Sequence, residues 1–207
     1  MWSAPSSGQS RSTKATVDEV GRFYTAQDEA AGTHLGLRWK GRVRYVVPRE
    51  WVGRNACWKL FKPGMLGIPM RAKAAMPRLL GSIACVESEN LAIIREAIGK
   101  ETGLSCSRAG AEGVWSKETI LFLDTNTDEP LYLAKAGTGE AVDALLRNES
   151  NWLRTLGDQP SLSGHIPELV AHCSGKDLCF VAQRALPGSL DFRLGQLHFE
   201  FLRKLQS

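Results

Sequence analysis

Within Leu131–Leu156, LYLAKAGTGEAVDALLRNESNWLRTL, a strand pattern gives way to a helix pattern across a short glycine-rich turn. In Leu131–Lys135 the pleat places Leu131, Leu133 and Lys135 on one face, so a lysine ends an otherwise apolar row. Gly137-Thr138-Gly139 breaks the strand; Thr138 is the expected N-cap, with Glu140 in the first turn. Val142, Leu145, Leu146, Trp152, Leu153 and Leu156 then recur at helical spacing. Glu149 lies on the same stripe. A carboxylate among apolar residues needs a partner, because an unpaired buried charge is costly. Lys135 is the nearest candidate.

The flanking segments extend this unit. Leu104–Ser107 and Thr119–Leu123 read as strands, joined through Arg108–Val114, which holds Gly110 and Gly113. The turn Thr125–Pro130 brings Ile120–Leu123 antiparallel to Leu131–Lys135. After the helix, Leu169–Cys173 and Leu178–Ala182 are strand candidates around the turn Gly175-Lys176-Asp177. The result is five strands with one helix after the third.

A strand lysine paired with a helix glutamate is the arrangement kinases use to hold the α- and β-phosphates of ATP. From about Leu104 to Ser207 the chain resembles the N-terminal lobe of the kinase-like phosphotransferases, the aminoglycoside and small-molecule type. The likeness rests on Leu133-Ala134-Lys135, on Arg147-Asn148-Glu149-Ser150 with Trp152-Leu153, and on His165–Val170 leading to Phe180–Arg184. The resemblance implies that Lys135 and Glu149 hold the phosphates and that Gly110 and Gly113 shape the loop over them. It puts a hinge at Gln183-Arg184-Ala185-Leu186, whose backbone meets adenine, with Ala182 and Leu186 beside the base. ATP is the implied cofactor, with magnesium. None of the four histidines, His34, His165, His172 and His198, is followed two residues later by Asp. No catalytic base or metal site is therefore expected in this chain. The expectation is a lobe that stops before the catalytic loop and is inactive alone.

The first hundred residues resemble no family. Residues 1–33 are expected to be flexible, apart from a helical turn over Val17–Tyr24. Residues 34–102 form a small basic α/β extension. From Arg38 to Arg78 there are eleven basic residues and one acid, Glu50, a net +10; with a chain total of +4, the remainder carries −6. Leu37–Val47 alternates as one half-exposed strand, with Arg38, Lys40, Arg42 and Arg44 on its outer face. Trp51, Trp58 and Phe61 fall in a helix after Pro48. A further helix, Ile68–Leu80, is interrupted at Pro77. Ser82–Val86 is a short strand. Ser88 then caps a helix, Glu89–Ile98, with Leu91, Ile94, Ala97 and Ile98 inward and Gly99 as its stop. Basic residues interleaved with aromatics also suit nucleic acid or another polyanion. A non-catalytic binding module using the Arg38–Arg78 face is therefore the alternative function.

Hydrophobic content of 43% and charged content of 23% fit a globular chain of 207 residues. No run of about 18 apolar residues indicates a membrane span, and the polar start lacks a signal-peptide core. Five cysteines without a C-x-x-C pair fit reduced thiols in the cytoplasm. Leu190–Leu205 carries an apolar pattern cut short at the terminus, which points to self-association or a protein partner there. The expected class is α+β: a kinase-like N-lobe, residues 103–207, preceded by the extension.

Overall fold

The computed structural model describes residues 22–50, 57, 67–76, 82–99, 102–110, 112–124, 126–127, 129–162, 164–186 and 203. In chain order the elements are β1 (Tyr24–Ala26), β2 (His34–Trp39), β3 (Arg42–Pro48), α1 (Gly67–Ala75), β4 (Ile83–Glu87) and α2 (Glu89–Ile98). There follow β5 (Ser105–Ala109), β6 (Glu118–Leu123), β7 (Pro130–Gly137), α3 (Glu140–Gly157), a 3-10 turn at Pro160–Leu162, β8 (Leu169–Cys173) and β9 (Cys179–Arg184). The class is α+β. All described strands join one open antiparallel sheet of nine, in the order β1-β4-β2-β3-β5-β6-β7-β9-β8.

The sheet is larger than the five strands expected. Those five are present as β5 to β9, with α3 after the third of them. The enlargement comes from β3, which pairs with β5 through Tyr45↔Arg108 and Val46↔Ser107. The extension therefore adds its strands to the same ladder. Tyr24–Ala26, inside the stretch read as flexible or helical, is an edge strand along β4.

Both faces of the sheet are covered. On one, α2 packs Leu91, Ile94 and Ile98 over Val46, Ile120, Phe122, Ala134, Phe180 and Ala182. On the other, Leu35, Leu37, Tyr45, Cys106, Leu121 and Leu123 cluster with Cys57 and with Ala74 of α1. Farther along this second face, Val142 and Leu146 of α3 meet Cys179 and Val181. Two-sided burial explains why β6 reads ETILFL: Ile120 and Phe122 face α2 while Leu121 and Leu123 face away, and all four are buried.

Leu37–Val47 is a hairpin rather than one strand. The chain turns at Lys40 (φ 50°) and Gly41 (φ 81°), the left-handed pair that two-residue hairpin loops require. Its register shifts between Leu37 and Arg38. The four basic residues therefore belong to two strands and a turn, not to one outer face.

The helix Glu89–Ile98 has its expected bounds, with Gly99 left-handed at φ 67°. Ala97, however, is exposed, and the Ser88 hydroxyl bonds Arg22 O rather than capping. No helix among the described residues is long and apolar enough to cross a membrane. The helix expected around Trp51–Phe61 and the apolar stretch Leu190–Leu205 lie, apart from Cys57 and Arg203, outside the described residues.

Candidate functional site

Three segments converge on the second face of the sheet, beside α3. The first is β7. Its register runs Arg108↔Thr119↔Lys135↔Val181↔His172 across five strands, so Lys135 shares its face with α3. The second is α3 itself. Glycine is the N-cap residue, at Gly139 rather than Thr138, and no side chain caps the helix. Its start is pinned differently. Gly139 N donates to Lys176 O at 2.8 Å, and the Asp143 carboxylate accepts from Ser174 Oγ at 2.6 Å and Gly175 N at 3.2 Å. Val142, Leu146 and Ser150 are buried, and Glu149 beside them stays partly exposed. Trp152, expected on the same stripe, is 57% exposed.

With both elements fixed, the Lys135 ammonium donates directly to Glu149 Oε1. The side chains are 30% and 22% exposed, so the pair is half-sheltered at the mouth between sheet and helix. This is the contact expected from the sequence.

The third segment is the β5–β6 hairpin. It supplies Lys117, whose Nζ lies 3.7 Å from Glu149 Oε2. One carboxylate thus faces two ammonium groups. Sequence reading missed Lys117. The signal was its position two residues before Thr119, on the face of β6 that Lys135 uses on β7.

Gly110 and Gly113 both lie in this hairpin, with distinct roles. Gly110 N donates to Lys117 O at 2.9 Å, and a Cβ at Gly110 would stand 2.3 Å from that oxygen. Any side chain there forces the two arms apart. Gly113 has φ +131°, with open space around the position a Cβ would take. The Arg44 guanidinium donates to Gly110 O at 2.6 Å and ties the hairpin to β3. Val114 and Trp115 stand exposed at its tip.

The hinge residues divide. Gln183 pairs with Leu133 and so shares the Lys135 face, two positions along. Ala182 pairs with Ala134 and is buried under α2, on the opposite side of the sheet from Lys135. It cannot line a slot beside that lysine. Ala185 lies just past β9, where its N–H donates to Leu131 O at 2.8 Å. Leu186 is exposed.

Several of the described basic residues upstream bond within the chain. Arg49 donates to Gly32 O at 3.2 Å, Lys73 to Arg38 O at 2.5 Å, and Arg42 pairs with Glu112 at 3.0 Å. These cations tie the chain to itself.

A separate polar cluster lies on the α2 side, where the first four strands meet β5. Ser105 is buried at its centre. Its hydroxyl bonds Tyr24 OH at 2.8 Å and donates to Glu87 Oε1 at 2.6 Å. Arg95 grips Glu87 with two bonds, at 2.9 and 2.6 Å, and reaches Thr102 O at 3.0 Å. His34 Nε2 lies 3.1 Å from Ser105 O. Burial outweighs the nearby Glu87 charge and lowers the His34 pKa. Burial pushes the Glu87 carboxyl up, but its bonds to Arg95 and Ser105 prevail and its pKa is lowered. Every polar member is satisfied within the cluster, which reads as structural rather than catalytic.

No protein-family model, curated protein or solved structure matches this chain. None of these comparisons identifies a kinase-like relationship. Among the described residues, no group of three or more His, Cys, Asp or Glu is placed to hold a metal ion.

Proposed function

We propose that this chain binds the phosphates of ATP as the N-lobe of a small-molecule phosphotransferase of the kinase-like kind. The observation that carries this reading is the direct Lys135–Glu149 ion pair between β7 and α3. A lysine held this way has a fixed direction, as a phosphate ligand needs. Three further features support the reading. The helix follows the third of five consecutive strands, and α3 lies on the Lys135 face. A glycine-containing hairpin adjoins the pair. Gln183 lies on the same face, toward the end of β9. The reading assigns nucleotide binding to this chain. It assigns neither a catalytic base nor magnesium ligands, because the sequence has no histidine followed two residues on by Asp. The polyanion-binding alternative is less favoured, since Arg44, Arg49 and Lys73 spend their donors on backbone carbonyls of this chain.

The test is a thermal-shift titration with ATP and magnesium. Binding through one lysine–carboxylate pair is expected to be weak. Millimolar ATP acting at a millimolar Kd stabilises by only about 0.4 kcal/mol, so the titration must run well above that concentration. Lys135→Ala is expected to lose most of the shift, and Glu149→Gln part of it. Equal shifts in wild type and Lys135→Ala would remove Lys135 from the phosphate site and the reading with it.

A further inference from the structure

We propose that Lys117 is a second phosphate ligand, sharing Glu149 with Lys135, so that the site selects a polyphosphate chain over a monophosphate. The inference rests on the nucleotide reading for its choice of ligand, and on the geometry of three side chains for its substance.

Lys117 Nζ stands 3.7 Å from Glu149 Oε2, while Lys135 bonds the other oxygen of the same carboxylate. The two contacts differ in kind. The Lys135 contact is a charge-assisted hydrogen bond. The Lys117 contact is longer than any hydrogen bond, a through-space attraction that leaves the ammonium protons uncommitted to Glu149. Lys117 is 29% exposed, so its head reaches solvent at the mouth of the site. One carboxylate between two lysines leaves a surplus positive charge. Arg108 adds to it. It is exposed and lies in register with Thr119 and Lys135 on the same face. Two strand spacings put its backbone about 10 Å from that of Lys135.

The nearby carboxylates do not cancel this surplus. Glu118 points to the α2 side, where the Ser107 hydroxyl donates to it. Asp143 is taken by Ser174, Gly175 and Arg147. Glu140 pairs with Lys176 at 2.7 Å. The local field therefore suits an extended anion with more than one charge.

The glycines acquire a role from this arrangement. The close approach of Gly110 to Lys117 O sets where β6 begins, and hence where Lys117 stands. Gly137 does the same from the other side. A Cβ there would lie 2.8 Å from Val142 Cγ1 and 3.2 Å from Ser116 O, so β7, α3 and the hairpin close in together. Both glycines thus hold the two lysines around one carboxylate.

Isothermal titration calorimetry at low salt tests the proposal on the full chain. The probes are inorganic tripolyphosphate, ATP and AMP; the proteins are wild type, Lys117→Met and Lys117→Arg. Lys117→Met keeps the aliphatic stem and removes the charge. It is expected to weaken tripolyphosphate and ATP about tenfold, to leave AMP within twofold, and to melt within a few degrees of wild type. Lys117→Arg is expected to recover most of the lost affinity. Tripolyphosphate binding that depends on Lys117 supports the anion site even if ATP binds no better than tripolyphosphate, in which case only the nucleotide reading falls. Tripolyphosphate binding as tight in Lys117→Met as in wild type overturns the proposal and leaves the Lys135 reading standing. No tripolyphosphate binding by the wild type overturns it as well.

Discussion

Glu118 and Lys117 are adjacent in sequence and face opposite sides of the sheet, which gives each a different electrostatic setting. Lys117 reaches the mouth beside α3. Glu118 lies under the α2 side, where burial pushes its carboxyl from 4.5 up to about 7, against the opposing bond from Ser107. The folded chain therefore holds a proton there that the unfolded chain releases near 4.5. Between pH 4.5 and about 7 the folded state binds more protons at this site, so its contribution to stability falls as pH rises and levels off above about 7. His34 and Glu87 act in the other direction. Both have lowered pKa values when folded, so each removes stability as pH falls, His34 below 6.5 and Glu87 below 4.5. Glu118→Gln is expected to steepen the rise of stability from pH 5 to 7 by removing the opposing slope, read as urea midpoints across that range. Parallel curves for wild type and variant would show that Glu118 titrates normally. The Lys135–Glu149 contact was legible from two residues breaking an apolar pattern on neighbouring elements. Glu118 and Lys117 were not, because alternation tells which residues share a face but not which face is covered.

Helix α3 shows how far periodicity reaches at the scale of an element. The spacing located the helix and its buried Val142 and Leu146, yet placed Trp152 on the same stripe. Leu153, one residue further on, still packs against the cluster of Val142, Leu146, Cys179 and Val181. Trp152 therefore leaves the buried face by its angle around the helix, because the sheet covers a narrower arc than the apolar spacing spans. Leu146 and Trp152 should therefore respond differently to truncation. Leu146→Ala, fully buried against Cys179 and Val181, is expected to cost about 2–5 kcal/mol by leaving a cavity. Trp152→Ala, 57% exposed, is expected to change stability by less than about 0.5 kcal/mol. Urea denaturation of both variants compares them directly; a Trp152 cost equal to that of Leu146 would mean that something covers the indole. The Leu37–Val47 hairpin was misread for a related reason. Alternation continued through Lys40-Gly41, and a lysine is an uncommon occupant of a left-handed turn position, so no turn signal interrupted the pattern.

At the scale of the whole molecule, the question is whether the first four strands and the last five form one cooperative body. Nothing in the local sequence pairs β3 with β5, because that ladder joins segments separated by α1, β4 and α2 and depends on which edges are left open after the local hairpins form. The register is short, Tyr45↔Arg108 and Val46↔Ser107, but it is reinforced on the α2 side. Ser105 opens β5, and its hydroxyl is shared by Tyr24 on β1 and Glu87 on β4. Arg95 on α2 holds Glu87 and reaches across to Thr102 O. Leu91 and Ile94 of the same helix belong to one core cluster with Tyr24 and Val46 from the first four strands and Phe122 and Phe180 from the last five. Burying that shared surface couples the halves, because neither can open without exposing it. One unfolding transition is therefore expected, with circular dichroism and tryptophan fluorescence superimposing in urea. Ser105→Ala should weaken the whole molecule rather than detach one part. It leaves the buried Tyr24 hydroxyl without that partner, a loss of about 1–3 kcal/mol. The variant is expected to keep a single transition at a lower urea midpoint by both probes. Two separated midpoints in Ser105→Ala would mean that the β3–β5 junction is a seam between independently stable parts, held together chiefly by this one hydroxyl.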